Sequence, residues 1–261
     1  MITILICLNV ILFVAAGIFL NLFLRYRGRL HRVENRYGKE RIPRVLLNEI
    51  APVFSKSELG LSLNTEVRFL GLGNLPISGR TSDIEAWILS VLSLGARSMF
   101  EFGTGTGRIA YLWAVNSPSD ATITTLALHP DQVNDYEMDP HDSAKGSTVA
   151  LRESCHQRFI YTGTPVEYKV KQVFSDSKKC DEEPFLNSCD LIFIDGSHTL
   201  SYIVNDTEKA LRMVKPNGLI LWHDYRRGSE PRDVEVFLNK LSATKKLLHI
   251  AGTSLVVFRH E

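Results

Sequence analysis

The chain has 261 residues, with 30 Lys and Arg against 29 Asp and Glu and a formal net charge of +1. This length suits one sizeable domain with an appendage, and the balanced charge gives no sign of a nucleic-acid partner. No Cys-x-x-Cys pair occurs among the four cysteines, so neither a zinc site nor a redox pair is expected.

Residues 2–24 contain no charged side chain. A helix of this length spans a hydrocarbon core of roughly 30 Å, and a lipid-embedded backbone must satisfy its own hydrogen bonds. The alternative is a cleaved signal peptide, which needs basic residues before the apolar run, whereas Arg25, Arg27 and Arg29 follow it. We therefore expect a single-pass transmembrane anchor over residues 1–24, with residues 25–261 in the cytoplasm by the positive-inside rule.

The segment 25–80 begins with a basic stretch, in which eight Lys and Arg stand against two Glu between residues 25 and 44. This stretch could lie against anionic lipid headgroups or be a solvated flank of the anchor. The later part, "GLGNLPISGR", is punctuated by Gly and Pro as loops are. We interpret 25–80 as a juxtamembrane linker on the substrate side of the domain that follows.

From residue 81 onward, helical and strand patterns alternate. Ser82 and Glu85 have the spacing of a capping box, and apolar residues follow at helical spacing: Ile84, Trp87, Ile88, Val91 and Leu92. Apolar strands then alternate with helices, and two more strands close the chain around Gly252. This pattern predicts an α/β domain over 81–261, with a doubly wound, mostly parallel, seven-stranded Rossmann-like sheet and an antiparallel C-terminal edge. Ligands of such sheets bind beyond the carboxyl ends of the strands.

The first strand end carries three glycines at alternate positions, in "FEFGTGTG". Glycine lets the backbone turn sharply and lets a ligand approach, and the following helix offers free N–H groups. One glycine would suffice for a tight turn, so a ligand loop is favoured. Gly105 to Ala110 also fits the dinucleotide pattern G-x-G-x-x-A, which expects an acid about 20 residues later that this chain lacks inside the next strand.

Two later strands end in acids. Asp195 ends "DLIFID" and is followed three residues later by His198, while Asp224 ends "LILWHD". If these strands are adjacent and parallel, the two carboxylates share one sheet edge with a histidine, as suits a cation, a hydroxylic substrate or a proton transfer. The alternative is that Asp195 caps a turn and that His198 and His223 are ordinary loop residues.

The motifs "FEFGTGTG", "DLIFIDGSHTLSYIVNDTEKALRMVKPNGLILWHDY" and "GTSLVVFR" resemble those of class I S-adenosylmethionine-dependent methyltransferases. The resemblance covers about residues 80–261 and is to methyltransferase family 24, which is akin to the catechol O-methyltransferases. It implies S-adenosylmethionine as cofactor, with the methionine and ribose part lined by Glu101, Gly103, Thr104, Gly105 and Gly107. Asp176 and Ser177 would form the turn that meets the adenine.

By the same resemblance, Asp195 would lie near the methyl donor and, with Asp224, on a Mg²⁺ ion in the metal-dependent relatives. His198 would be the base that deprotonates the substrate hydroxyl. Two departures stand out: Ala127 replaces the usual ribose-binding acid, and Tyr225 replaces the Asn that follows the second acid in metal-dependent relatives.

The sequence thus predicts a membrane-anchored S-adenosylmethionine-dependent methyltransferase that acts on a hydroxyl of a small molecule. An inactive, membrane-tethered binding module of the same fold is the alternative that Ala127 suggests. A nicotinamide-dependent Rossmann enzyme is a third reading. The sequence makes no prediction about the substrate or the oligomeric state.

Overall fold

The computed structural model describes residues 16–25, 27, 42–55, 65–73, 81–137, 139–140, 142, 146–148, 151, 156–226 and 232–261. The chain divides into two compact units, Met1–Glu40 and Arg41–Glu261. In the first unit, residues 16–25 are helical and exposed. None of the described helices is both long and apolar enough to cross a membrane. Most of the expected anchor, residues 2–15, lies outside the described residues, so the anchor stays a prediction.

The second unit alternates strands and helices. The strands are β1 (Arg44–Val45), β2 (Ser98–Phe102), β3 (Thr122–Ala127), β4 (Val170–Phe174), β5 (Cys189–Ile194), β6 (Val214–Trp222), β7 (Leu247–Ile250) and β8 (Val256–Arg259). The described α-helices of this unit are α1 (Leu47–Ile50), α2 (Asp83–Ser93), α3 (Arg108–Asn116), α4 (Leu200–Met213) and α5 (Asp233–Leu241). Short 3₁₀ helices cover Pro130–Asp135, Glu167–Lys169 and Glu183–Phe185.

The strands form one eight-stranded sheet in the order β1-β7-β8-β6-β5-β2-β3-β4. The Rossmann-like, mostly parallel architecture is confirmed, and β8 is antiparallel to both β6 and β7. The predicted number of seven strands is wrong. Arg44 and Val45, in the segment interpreted as a linker, pair in parallel with β7 and add an eighth strand.

Helices cover both faces of the central strands, and adjacent residues along a strand point to opposite faces. In β5, Phe193 packs into the apolar cluster under α2 and α3, which includes Trp113. Its neighbour Ile192 packs into the opposite cluster under α4 and α5, which includes Trp222. Burial on both faces explains why the central strands are continuously apolar rather than alternating.

The predicted capping box begins α2. The Ser82 hydroxyl accepts a hydrogen bond from the Glu85 amide at 3.4 Å, and the Glu85 carboxylate accepts one from the Ser82 amide at 2.9 Å. Ile88 and Val91 are buried as predicted, but Ile84 is 48% exposed. The first-turn side chain that turns inward is the carboxylate of Glu85, which lies next to the site described below.

Candidate active site

The glycine loop joins β2 to α3, and all three of its glycines have a positive φ, at 95° for Gly103, 50° for Gly105 and 78° for Gly107. A Cβ on Gly103 would overlap the carbonyl of Asp195, and one on Gly107 would come within 2.8 Å of Phe159. These two glycines therefore allow contacts within the protein. A Cβ on Gly105 would meet no atom within 4 Å, so the open space of the loop lies at this residue.

The Glu101 side chain belongs to a buried network of hydrogen bonds next to this loop. The Thr125 hydroxyl donates to the Glu101 carboxylate at 2.5 Å, and Thr104 and Thr125 share a hydrogen bond of 2.7 Å. Burial raises the pKa of Glu101 to about 8, helped by the nearby charge of Asp195 and opposed by the Thr125 hydrogen bond. The Glu101 carboxyl is therefore mainly neutral at pH 7.

The ends of β5 and β6 bring an acid, a histidine and a second acid together. Ile194 pairs with Trp222 in the parallel register, so Asp195 and His223 are the next residues on neighbouring strands. His223 Nδ1 lies 2.9 Å from Asp195 Oδ1 and 3.4 Å from Asp224 Oδ1. The two acids share the predicted edge, and His223, which was not among the predicted site residues, lies between them.

The His223 ring is fully buried and faces carboxylates on both sides. Its Nε2 lies 3.4 Å from Glu85 Oε2. Burial by itself would lower the pKa of His223, but Asp195, Asp224 and Glu85 together raise it well above its usual value. Among the described residues, Nδ1 makes no well-aligned hydrogen bond, so its contacts with the two acids are mainly electrostatic.

Asp224 is held in an uncommon backbone conformation, with a φ of 60°. Its Oδ2 lies 3.4 Å from His198 Nε2, and its Oδ1 lies 3.0 Å from the Arg226 guanidinium. Burial would raise the pKa of Asp224, but His223 above all, with His198 and Arg226, lowers it to about 2. Asp224 is therefore a carboxylate at any physiological pH, and His198 lies against it.

Thr81 and Glu85 complete the cluster and were not predicted as site residues. The Thr81 hydroxyl donates to Asp195 Oδ2 at 3.1 Å. Arg108, the first residue of α3, donates to the Thr81 carbonyl at 2.9 Å and so ties Thr81 to the end of the glycine loop. His223 could have been predicted, because it directly precedes the acid at the end of a strand. Glu85 could not, because the capping box alone accounts for its spacing from Ser82.

The donor atoms of Asp195, His198 and Asp224 lie within 4.8 Å of one another, and this trio could hold a metal ion. Carboxylate oxygens suit Mg²⁺, and an imidazole nitrogen suits transition metals better. Tyr225, at the position of the relatives' Asn, is buried, and its hydroxyl donates to Asn239 at 2.9 Å. The residues present therefore fit a cation through two acids and a histidine, not through residue 225.

The adenine-side residues are engaged within the protein. The Asp176 carboxylate accepts hydrogen bonds from the Tyr202 hydroxyl at 2.8 Å and from the Lys178 amide at 2.9 Å. Ser177 bonds the buried carboxyl of Asp206, whose pKa burial raises to about 6. Their role toward the cofactor stays a prediction.

The ribose side has no acid inside the strand. Ala127, which replaces the ribose-binding acid of the relatives, is the last residue of β3 and pairs with Phe174 of β4. The next acid, Asp131, lies in the following 3₁₀ helix, with its side chain 84% exposed and 3.4 Å from His129 Nδ1. Asp131 thus lies beyond the strand end with its carboxylate facing solvent.

The loop that follows β3 packs against the start of α4. The Tyr136 ring stacks on Tyr202 at 4.6 Å, and its hydroxyl shares a hydrogen bond of 2.8 Å with Ser197. Asp142 accepts from the Ser201 amide at 2.9 Å and from the Ser201 hydroxyl at 2.6 Å. The loop is thereby fixed next to the residues that follow Asp195. Met138 and His141 of the same loop lie outside the described residues.

Residues 100–225 match the family model described as a methyltransferase domain, in family 24. Among curated proteins, none matches the chain.

Several solved structures resemble the chain at low identity. The O-methyltransferase TomG of Streptomyces achromogenes, solved with S-adenosylmethionine, is 15% identical over 70% of this chain and 82% of its own, with a TM-score of 0.45. An O-methyltransferase of Bacillus cereus, solved with S-adenosylhomocysteine, is 16% identical over 71% and 84%, with a TM-score of 0.46. The methyltransferase PaMTH1 of Podospora anserina is 17% identical over 70% and 80%, with a TM-score of 0.45.

The matched region contains the glycine loop, Asp195, His198 and Asp224, which are the residues that the site is built from. A methyltransferase family replaces the nicotinamide-dependent reading that G-x-G-x-x-A had left open. Residues 100–225 thus match a methyltransferase domain of family 24, and the chain is an S-adenosylmethionine-dependent methyltransferase.

Proposed function

We propose that this enzyme methylates a hydroxyl oxygen of a small molecule, with His198 as the general base. The observation that carries the proposal is the pairing of His198 Nε2 with Asp224 Oδ2 at 3.4 Å, at the edge where Asp195 ends β5. A histidine oriented by a carboxylate is the arrangement that general-base catalysis uses near neutral pH.

The pairing assigns a role to each nitrogen of His198. Nε2 faces the Asp224 carboxylate, which favours the tautomer with the proton on Nε2, so Nδ1 is the nitrogen that accepts the proton of the substrate hydroxyl. S-adenosylmethionine, when bound, supplies an electrophilic methyl group. The protein's main contribution is to hold the hydroxyl in line with that group, which is a positioning effect. Asp224 stays ionised and stabilises the imidazolium that forms.

The glycine loop is the part of the chain that would hold the cofactor. The open space at Gly105 accommodates a ligand against the backbone, and the N-terminus of α3 lies directly behind it. Glu101, Gly103, Thr104 and Gly107 shape this loop through the contacts described above. Asp195, which packs against Gly103 through its backbone, joins the loop to the base.

A divalent cation is a second way to activate the hydroxyl. Mg²⁺ on Asp195 and Asp224 would lower the pKa of a hydroxyl bound to it, with His198 as a third ligand rather than the base. The proximity of the three donor atoms favours this alternative. It predicts that EDTA abolishes turnover, whereas the general-base route predicts that EDTA has no effect.

The competing function is a binding module that has lost catalysis. The absence of an acid at Ala127 favours it, since the ribose hydroxyls lack their usual partner. Calorimetric titration of the full chain in detergent separates the two functions. Micromolar binding of S-adenosylmethionine and S-adenosylhomocysteine supports the enzyme, and no binding by a folded sample contradicts it.

We also propose that the apolar residues 2–24 anchor the enzyme in a membrane, with the methyltransferase domain in the cytoplasm. The uncharged run and the basic residues that follow it support this proposal. Membrane fractionation of the full chain and of a variant lacking residues 1–24 tests it. Equal partitioning of both proteins into the soluble fraction would contradict it.

A further inference from the structure

Glu85 is a buried carboxylate that joins two distant parts of the chain. Its Oε2 accepts from the Ser82 amide at 2.9 Å and from the Ser82 hydroxyl at 2.6 Å. Its Oε1 accepts from the Ser254 amide at 2.6 Å and from the Ser254 hydroxyl at 2.7 Å. A capping box requires only a bond to the Ser82 amide. The Ser254 pair ties α2 to the turn between β7 and β8, which a cap does not need.

The same carboxylate faces the histidine of the site. Glu85 Oε2 lies 3.4 Å from His223 Nε2, and Phe193 lies edge-on to the ring, with centroids 6.1 Å apart. On the far side of the ring, Nδ1 lies between the carboxylates of Asp195 and Asp224. One buried imidazole therefore has Glu85 at one nitrogen and the two acids of the site at the other.

We propose that Glu85 is a positioning residue of the methyltransferase: it holds the His223 ring with Nδ1 toward Asp195 and Asp224 and thereby fixes where these two acids lie. The inference rests on the proposed function of the acids and extends the site to a helix that carries none of its predicted residues. Because Glu85 also bonds Ser254, whose hydroxyl accepts from the Asp224 amide at 3.3 Å, it supports Asp224 by two routes.

The isosteric variant Glu85→Gln is informative because both oxygens of Glu85 accept hydrogen bonds. A glutamine has a single acceptor oxygen. Its NH₂ group would face donors from either Ser82 or Ser254, and its contact with His223 would change. The side-chain volume is retained, so the core around Ala86 and Leu89 is not altered.

The test is a double-mutant cycle on the full chain with Glu85→Gln, His223→Asn and the double variant. The measured quantities are the dissociation constant of S-adenosylhomocysteine and the kcat for methyl transfer to 3,4-dihydroxybenzoate, a catechol used as a probe acceptor. We expect Glu85→Gln to lower kcat at least 10-fold with little change in KM. In the His223→Asn background the same substitution should have almost no further effect, because its route to the acids is already lost. Additive effects would overturn the proposal.

A measurement without turnover separates this proposal from the proposed function. The ring ¹⁵N signals of His223, assigned by their absence in His223→Asn, report the protonation and the polar contacts of each ring nitrogen. We expect Glu85→Gln to shift the Nδ1 signal, which lies on the far side of the ring from residue 85. An unchanged Nδ1 signal would contradict the inference, whereas absent cofactor binding and absent turnover would contradict only the proposed function.

Asp190→Asn is the matched control. Asp190 accepts hydrogen bonds from the Arg97 and Ser98 amides at 2.8 and 2.9 Å, at the opposite end of β2 from the site. Asp190→Asn should lower the stability of the protein without changing the His223 signals or kcat. If Asp190→Asn lowers kcat as much as Glu85→Gln does, the role of Glu85 is only structural. If Glu85→Gln does not fold, Ser82→Ala is the alternative variant, because it removes one of the donors to Glu85 Oε2. It should shift the His223 ring signals by a smaller amount. The absence of any shift would contradict the inference.

Discussion

His198 Nε2 lies 3.4 Å from Asp224 Oδ2, and this contact joins the loop after β5 to the end of β6. Asp224 reaches it from a left-handed backbone conformation directly after His223. The pair places an oriented imidazole at the sheet edge that also carries the glycine loop. Its chemistry leads to the first prediction.

Substituting His198 by Ala should lower the kcat for methyl transfer by about 10²- to 10⁴-fold, because the substrate hydroxyl loses its proton acceptor. The affinity for S-adenosylhomocysteine should change little, since the glycine loop is intact. Stopped assays with S-adenosylmethionine and a catechol probe measure the first quantity, and calorimetry measures the second. Turnover equal to that of the unmodified enzyme would show that His198 is not the base.

The three glycines of the loop should respond differently to Ala. Gly103→Ala and Gly107→Ala should each cost about 2–4 kcal/mol of unfolding free energy, since they combine a left-handed φ with a steric overlap. Gly105→Ala should cost only about 1–2 kcal/mol, but it should weaken S-adenosylhomocysteine binding at least 10-fold.

Urea denaturation and calorimetry on the same three proteins check this ordering. An unchanged affinity in Gly105→Ala would mean that no ligand approaches the loop at that residue.

Glu101 should make the protein less stable as the pH rises. Its pKa is about 8 in the folded chain against an ordinary 4.5, so the unfolded chain loses this proton first. Stability is fully present below pH 4.5 and is lost progressively up to pH 8, by about 4–5 kcal/mol in total. Glu101→Gln should remove this dependence and be the more stable protein at pH 8.

Denaturation in urea at pH 5 and pH 8 compares the two proteins. A parallel pH dependence in both would show that Glu101 does not titrate with a raised pKa.

Asp142 should stabilise the start of α4 from outside the helix. Asp142→Ala removes its bonds to Ser201 and should lower the free energy of unfolding by about 1 kcal/mol, the usual value of a helix cap. The chain next to Tyr136, in the loop that carries Asp142, should then be cleaved faster in limited proteolysis. The control is Asp131→Ala, whose side chain is 84% exposed. Equal stability of both variants would contradict a capping role.

The sequence by itself determined the local features of this protein. The capping box of Ser82 and Glu85, the apolar strands and the glycine turn all depend on neighbours within a few residues, for which residue type and spacing are sufficient. The shared edge of Asp195 and Asp224 also followed, because parallel strands align their carboxyl ends. The motif resemblance predicted the family whose model matches residues 100–225.

Only the tertiary structure decided the rest. Strand β1 is only two residues long, and it is a strand because it pairs with β7, about 200 positions away in the sequence. The position of His223 between two acids, and of Glu85 behind it, depends on α2, β6 and the β7–β8 turn meeting in space. Such contacts arise from packing between segments that are distant in sequence, so no local pattern at residue 85 or 223 encodes them.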